Sequence, residues 1–171
     1  MYMPSAKMEP VNVLGGGDAT AAGAILYDGE IGQAASFEGD TAVTVDMGVS
    51  VLLSYIRYYA GKIESDGNNC LGTRFYASND NRTYTELAVA EETVPPENGW
   101  YEITFSGFGE YRYFKVVLPH KSNICEIEWM GAKGFSKIRS GGKYDVAISE
   151  IGEVNNSGEP ILIKEDGSDE K

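Results

Sequence analysis

Hydrophobic and polar positions along this chain alternate with a period of two over short runs, and nothing longer than a turn or two keeps a helical 3.6-residue repeat. The runs are Thr41 to Met47, Val51 to Tyr59, Arg74 to Ser78, Tyr84 to Ala90, Trp100 to Phe105, Tyr111 to Leu118 and Ile124 to Gly131. Between them stand Ser78-Asn79-Asp80-Asn81, Pro95-Pro96-Glu97-Asn98-Gly99 and Ser106-Gly107-Phe108-Gly109, whose residues favour turns. Short strands at this spacing predict an all-β sandwich or barrel. Ile124, Ile127 and Trp129 are set against Glu126 and Glu128, with a slip near Cys125 that predicts a bulge. Val51-Leu52-Leu53 is apolar on both faces and predicts a central strand.

Consecutive antiparallel strands reverse direction, so alternate connections share one end of a sandwich. Segments 29–40, 60–73, 91–99 and 119–123 fall at one end, and the shorter 48–50, 79–83 and 106–110 at the other. Long connections are where function concentrates. The long-loop end gathers Phe37, Lys62, Asp66, Asn68, Asn69, Trp100, His120, Lys121 and Asn123. A sugar site needs a flat ring against its C–H face and amides or charges for its hydroxyls, and this set supplies both. Trp100 also opens an apolar strand, the setting of a core residue, and Asn68-Asn69 beside Gly67 also fits a plain turn.

Composition narrows the choice. The net charge is -12, which repels a phosphate backbone and argues against nucleic acid as a partner. No apolar run approaches the ~20 residues of a membrane span, so no membrane insertion is expected. The opening Met1-Tyr2-Met3-Pro4 lacks the order of a signal peptide, which leaves an intracellular or virion-borne protein, or a piece of a larger one. Cys70 and Cys125 make no disulfide framework and fit no zinc spacing; one bridge and two free thiols both remain open. From Asp145 to Lys171 eight acids face two bases, half of the net charge. The expected organisation is an N-terminal extension over 1–19, a sandwich over 20–134, a β-rich extension or start of a following domain over 135–164, and an acidic disordered tail over 165–171.

Seven pieces occur in a shared order: Tyr27-Asp28-Gly29, Val43-Thr44-Val45-Asp46-Met47-Gly48, Ile56-Arg57-Tyr58-Tyr59, Gly72-Thr73-Arg74-Phe75-Tyr76-Ala77-Ser78-Asn79-Asp80, Tyr84-Thr85-Glu86-Leu87, Tyr111-Arg112-Tyr113-Phe114-Lys115-Val116 and Asn123-Ile124-Cys125-Glu126-Ile127-Glu128. Together they resemble the coagulation factor 5/8 type C (discoidin-like) family, which includes the family 32 carbohydrate-binding modules. The resemblance covers about residues 20 to 134. It implies a galactose-binding-like jelly-roll β-sandwich with ligand loops at one end. It also implies a structural calcium beneath those loops, with Asp28 and Glu126 as ligands and Glu30 assisting. Where the family usually has Thr and Trp, this chain has Gln33 and Ala35 nearby, which leaves Phe37 as the nearest loop aromatic. By position in the loops, the ligand-binding candidates are Phe37, Lys62, Asn68, Asn69, Trp100 and His120. Arg112, in mid-strand, reads as structural.

The resulting expectation is a non-catalytic module that binds glycans of galactose or N-acetylhexosamine type. It would be tethered within a larger secreted or surface protein, such as a glycoside hydrolase. The alternative is a protein- or host-receptor-binding adhesion domain, including one on a phage virion. An enzyme is not expected: His120 is the lone histidine, and there is no Gly-x-Ser-x-Gly, phosphate loop or His/Cys metal cluster.

Overall fold

A computed structural model describes residues 6–61, 70–91, 99–133, 135–140, 143–148, 162–163 and 169–170. The alternating runs form strands, but two pairs of them are fused. The runs at 41–47 and 51–59 are one strand, β3 (Thr41–Ala60), and those at 100–105 and 111–118 are another, β6 (Trp100–Leu118). The breaks expected at 48–50 and 106–110 survive as register shifts, since Asp46 pairs Tyr113, Val51 pairs Tyr111, Leu53 pairs Gly109 and Tyr55 pairs Thr104. With β1 (Ala6–Met8), β2 (Asn12–Leu14), β4 (Arg74–Ser78), β5 (Thr85–Val89) and β7 (Ile124–Lys133), they make one antiparallel network. Its order is β1-β7-β3-β6-β4-β5, with β2 also on β3.

This network folds over on itself. Val45 pairs Phe114 and Ile56 pairs Trp129. In a straight strand Val45 and Ile56 would stand roughly 36 Å apart. The Phe114 and Trp129 rings nevertheless stack at 4.6 Å between centroids, and Phe75 meets Trp129 at 6.0 Å. The sheet's two halves therefore face each other across a core of Val43, Val45, Ile56, Tyr58, Phe75, Phe114, Val116, Ile127 and Trp129, all buried. This is the jelly-roll β-sandwich. Val51, Leu52 and Leu53 are buried on a strand flanked by both β6 and β7, as their two-sided apolar pattern predicts. The expected bulge is present as well: Tyr59 pairs Glu126 and Ala60 pairs Ile124, leaving Cys125 as the extra residue.

The N-terminal segment belongs to the sheet instead of extending from it. Lys7 pairs Met130 on the β7 edge, and Val13 pairs Val45. Between β2 and β3 lies one helix, α1 (Asp18–Leu26), where no helix is expected from the pattern. Its inward residues are Ala22, Gly23 and Leu26, too small a set to give a clear apolar stripe. After the sandwich, β8 (Phe135–Ser140), β9 (Lys143–Ile148), β10 (Leu162–Ile163) and β11 (Asp169–Glu170) form a second antiparallel sheet. Asp169 and Glu170, expected in a disordered tail, pair with Ile163 and Leu162. Cys70 and Cys125 are both buried, and no disulfide joins them.

Arg112 is structural, as expected. Its Nε and Nη2 donate to the two oxygens of Asp46 at 2.8 and 2.9 Å, and the Gly48 N–H donates to Asp46 Oδ1 at 2.7 Å. The Arg112 hydrogen bond, opposed by burial and helped by Gly48, holds the Asp46 carboxyl below the usual aspartate value. A depressed folded pKa gives stability that is complete above the unfolded value of ~3.9 and lost as pH falls through the folded one. Arg112 keeps 41% of its side chain in solvent, so water screens the pair and it contributes less than an enclosed pair would. Urea unfolding at neutral pH and near pH 3 is expected to show Asp46→Asn losing less stability on acidification than the native chain.

Candidate functional site

Backbone hydrogen bonds bring the long connections to one end. Ala35 N donates to Ile124 O at 2.8 Å, Gly61 N to Asn123 O at 2.8 Å, and Lys121 N to Phe37 O at 2.9 Å. Gly72 N and Ala90 O are joined at 2.9 Å, and Arg74 pairs both Val117 and Val89 next to the same rim. The short connections meet at the opposite end, where Asn79 Nδ2 donates to Glu110 O at 2.9 Å.

At the long-loop end His120 is exposed, and two contacts set its position. Its N–H donates to Asp40 Oδ1 at 3.0 Å, and Nδ1 lies 2.5 Å from Glu38 O. A carbonyl only accepts, so Nδ1 carries the proton there. Phe37 is half-buried and packs against the core, which makes it a wedge under the loop more than an open stacking surface. Lys62, Asn68 and Asn69, like Asp66, lie outside the described residues.

Trp100 is half-buried at the start of β6 and heads a cluster on the outward face of the sheet. The Tyr59 ring meets it edge-on at 5.5 Å, and the Arg57 guanidinium lies 4.6 Å from its ring centroid. Arg57 Nη1 donates to Glu128 Oε2 at 3.3 Å, and Nε forms an ion pair with Glu102 at 3.3 Å. Gly99, at φ +77°, lets the chain enter β6 so closely that a Cβ there would stand 2.4 Å from the Tyr59 ring. Sequence reasoning missed Arg57, Tyr59, Glu102 and Glu128 in this cluster. The signal was the shared parity of Arg57 and Tyr59 across from Trp100, readable only once the register was known.

Beneath the loops, Glu126 is 1% exposed. Its Oε1 accepts from Lys7 Nζ at 3.1 Å and its Oε2 from the Gly29 N–H at 3.2 Å. Lys7 Nζ is also 3.3 Å from Glu9 and 4.0 Å from Glu128. Burial pushes the Glu126 carboxyl above its ordinary value, against the lowering by Lys7 and Gly29. Burial alone would pull Lys7 down, but the hydrogen bond and charge of Glu126, with Glu9, carry it above the usual lysine value. The cost of enclosure thus falls on the carboxylate, because Lys7 keeps 28% of its side chain in solvent and stays charged. Asp28 and Glu30 are exposed, and Asp28 Oδ1 accepts from the Glu30 N–H at 2.7 Å, closing its own turn. Trp129 Nε1 donates to Tyr27 Oη at 3.1 Å and pins the other end of that turn to β7.

No protein-family model matches the chain, and no curated protein does. Solved structures do share its fold. A pectin-binding carbohydrate-binding module superposes with a TM-score of 0.55 at 20% identity, covering 70% of this chain and 89% of that one. An F5/8 type C domain from Bacteroides fragilis gives 0.54 at 12% identity, over 64% and 80%. A family 32 module from Clostridium perfringens, in complex with GalNAc-β-1,3-galactose, gives 0.50 at 14% identity, over 76% and 95%. The chain therefore has the galactose-binding-like fold of discoidin domains and of carbohydrate-binding modules.

Proposed function

We propose that this chain is a non-catalytic glycan-binding module whose site lies at the long-loop end, around Trp100, Tyr59 and His120. The observation that carries the reading is the Trp100 cluster, which sets an indole beside a guanidinium and two carboxylates at the rim where the loops converge. An indole stacks on the C–H face of a pyranose, while Arg57, Glu102 and Glu128 offer donors and acceptors to its hydroxyls. The fold supports the reading, since it is shared with a pectin-binding module and with a module in complex with GalNAc-β-1,3-galactose. Galactose or N-acetylhexosamine is the sugar class we assign. A shallow rim site of this size binds a single sugar weakly, on the order of 0.1 to 1 mM, and gains strength from repetition. A larger extracellular or surface protein carrying the module in several copies would supply that repetition.

A glycan array probed with the chain displayed multivalently tests this. Binding to galactose- or N-acetylhexosamine-terminated glycans is expected, and Trp100→Ala should weaken it about tenfold or more while leaving the circular dichroism spectrum unchanged. A blank array with folded protein would transfer the site to a protein partner on a host or surface receptor. Full binding by folded Trp100→Ala would remove the site from this rim.

A further inference from the structure

Residues expected to hold a calcium ion do not form a cage for one. Calcium takes six to eight oxygens. Here Glu126 spends one oxygen on an ammonium and the other on the Gly29 N–H, and Asp28 Oδ1 is committed to the Glu30 N–H. Among the described residues no three His, Cys, Asp or Glu side chains come together in a way that could hold a metal.

What occupies the seat is a lysine from the N-terminal edge strand. The antiparallel pairing of Ala6, Lys7 and Met8 with Gly131, Met130 and Trp129 lays β1 along β7, and Lys7 reaches Glu126 from there. Its ammonium sits among three carboxylates, Glu126 at 3.1 Å, Glu9 at 3.3 Å and Glu128 at 4.0 Å. The buried carboxylate then has an oxygen left to grip Gly29, and with the Trp129–Tyr27 bond this ties both sides of the turn to β7. Glu128 shares its charge between Lys7 and Arg57, so the same lysine also supports the residue that lies over Trp100.

We propose that the Lys7 ammonium is the resident cation of this seat, fixing the 27–30 turn to the last sandwich strand without a divalent metal. A tethered monovalent cation costs no ion capture and keeps the turn in place when calcium is scarce. The proposal is independent of the glycan reading, and its test uses stability and metal binding only.

The full chain is melted in about 5 mM calcium and again in excess chelator, and calcium is titrated into it by calorimetry. A folded-state calcium site filled about a thousandfold above its Kd would separate the two melting temperatures by roughly 10 °C. The expected result is superimposable melts and no calcium heat. Stoichiometric calcium binding, or a melt that drops in chelator, would overturn the proposal. Lys7→Met should fall by roughly 10 °C in both buffers, because it leaves a buried carboxylate without its partner. Lys7→Met combined with Glu126→Gln should recover much of that loss, since the seat then holds no charge. If Lys7→Met proves too unstable to purify, the double variant and the calcium titration decide the matter alone. A Lys7→Met chain as stable as the native one would overturn the proposal.

Discussion

Gly131→Ala is expected to be the most damaging single methyl group that can be added to this protein. Gly131 lies on β7 opposite Leu53, one step from a register shift at which β3 carries an extra residue, Ser54. That bulge presses the β3 backbone onto β7: a Cβ at position 131 would sit 1.9 Å from the Leu52 carbonyl oxygen and 3.0 Å from its carbon. Neither atom is the end of a flexible side chain, so relief requires the two central strands to part. The Met8 methyl, 3.1 Å away, closes the remaining direction from β1. Overpacking a well-filled interior costs about 1–3 kcal/mol, and a backbone collision between paired strands belongs at or above the top of that range. The expected measurement is a melting temperature lowered by roughly 10 °C or more, or loss of soluble expression. A Gly131→Ala chain that melts within about 2 °C of the native one would show that the strands do not approach this closely.

Trp129→Ala is the second large effect, and it joins the core to the rim. Trp129 is fully buried, stacks on Phe114, meets Phe75 edge-on and donates its indole N–H to Tyr27. Removing it vacates the contact between the two halves of the folded-over sheet and costs about 3–5 kcal/mol. It also strands the buried Tyr27 hydroxyl, whose phenol burial already pushes well above its ordinary pKa. Trp129→Phe separates the two losses. It keeps most of the ring packing, so it should cost less in a denaturation curve, yet it cannot donate to Tyr27. If hydrogen exchange at the 27–30 amides is unchanged in Trp129→Phe, the indole bond does not anchor the turn.

The strand set and the two ends of the sandwich were legible in the sequence because both depend on local rules. Period-two alternation assigns a face to each residue, and antiparallel reversal assigns an end to each connection. Even the bulge at Cys125 was visible, since an extra residue breaks the alternation where it enters. The helix was not visible because α1 packs through small residues. A Cβ on Gly23 would stand 2.5 Å from Val13, so closeness there is achieved by absence of side chain and leaves no apolar stripe to read. Strands β1 and β2 escaped for a related reason, being three residues each, too short for alternation to stand out.

The candidate site divides along the same line. Trp100 and His120 could be assigned to the long-loop end from order alone, and the structure places both there. Which side chains join Trp100 depended on register: Tyr59 pairs it directly and Arg57 follows two residues back on the same face. The identity of the cation beside Glu126 was beyond any local pattern, because Lys7 is 119 residues away and one lysine near an acid reads like any solvated charge. Chain order and alternation thus determined the fold class and the end at which the long connections gather, since both follow from neighbours in sequence. Tertiary structure alone decided what fills the seat and what flanks the indole, since those contacts are made between strands that meet only when the sheet folds over its core.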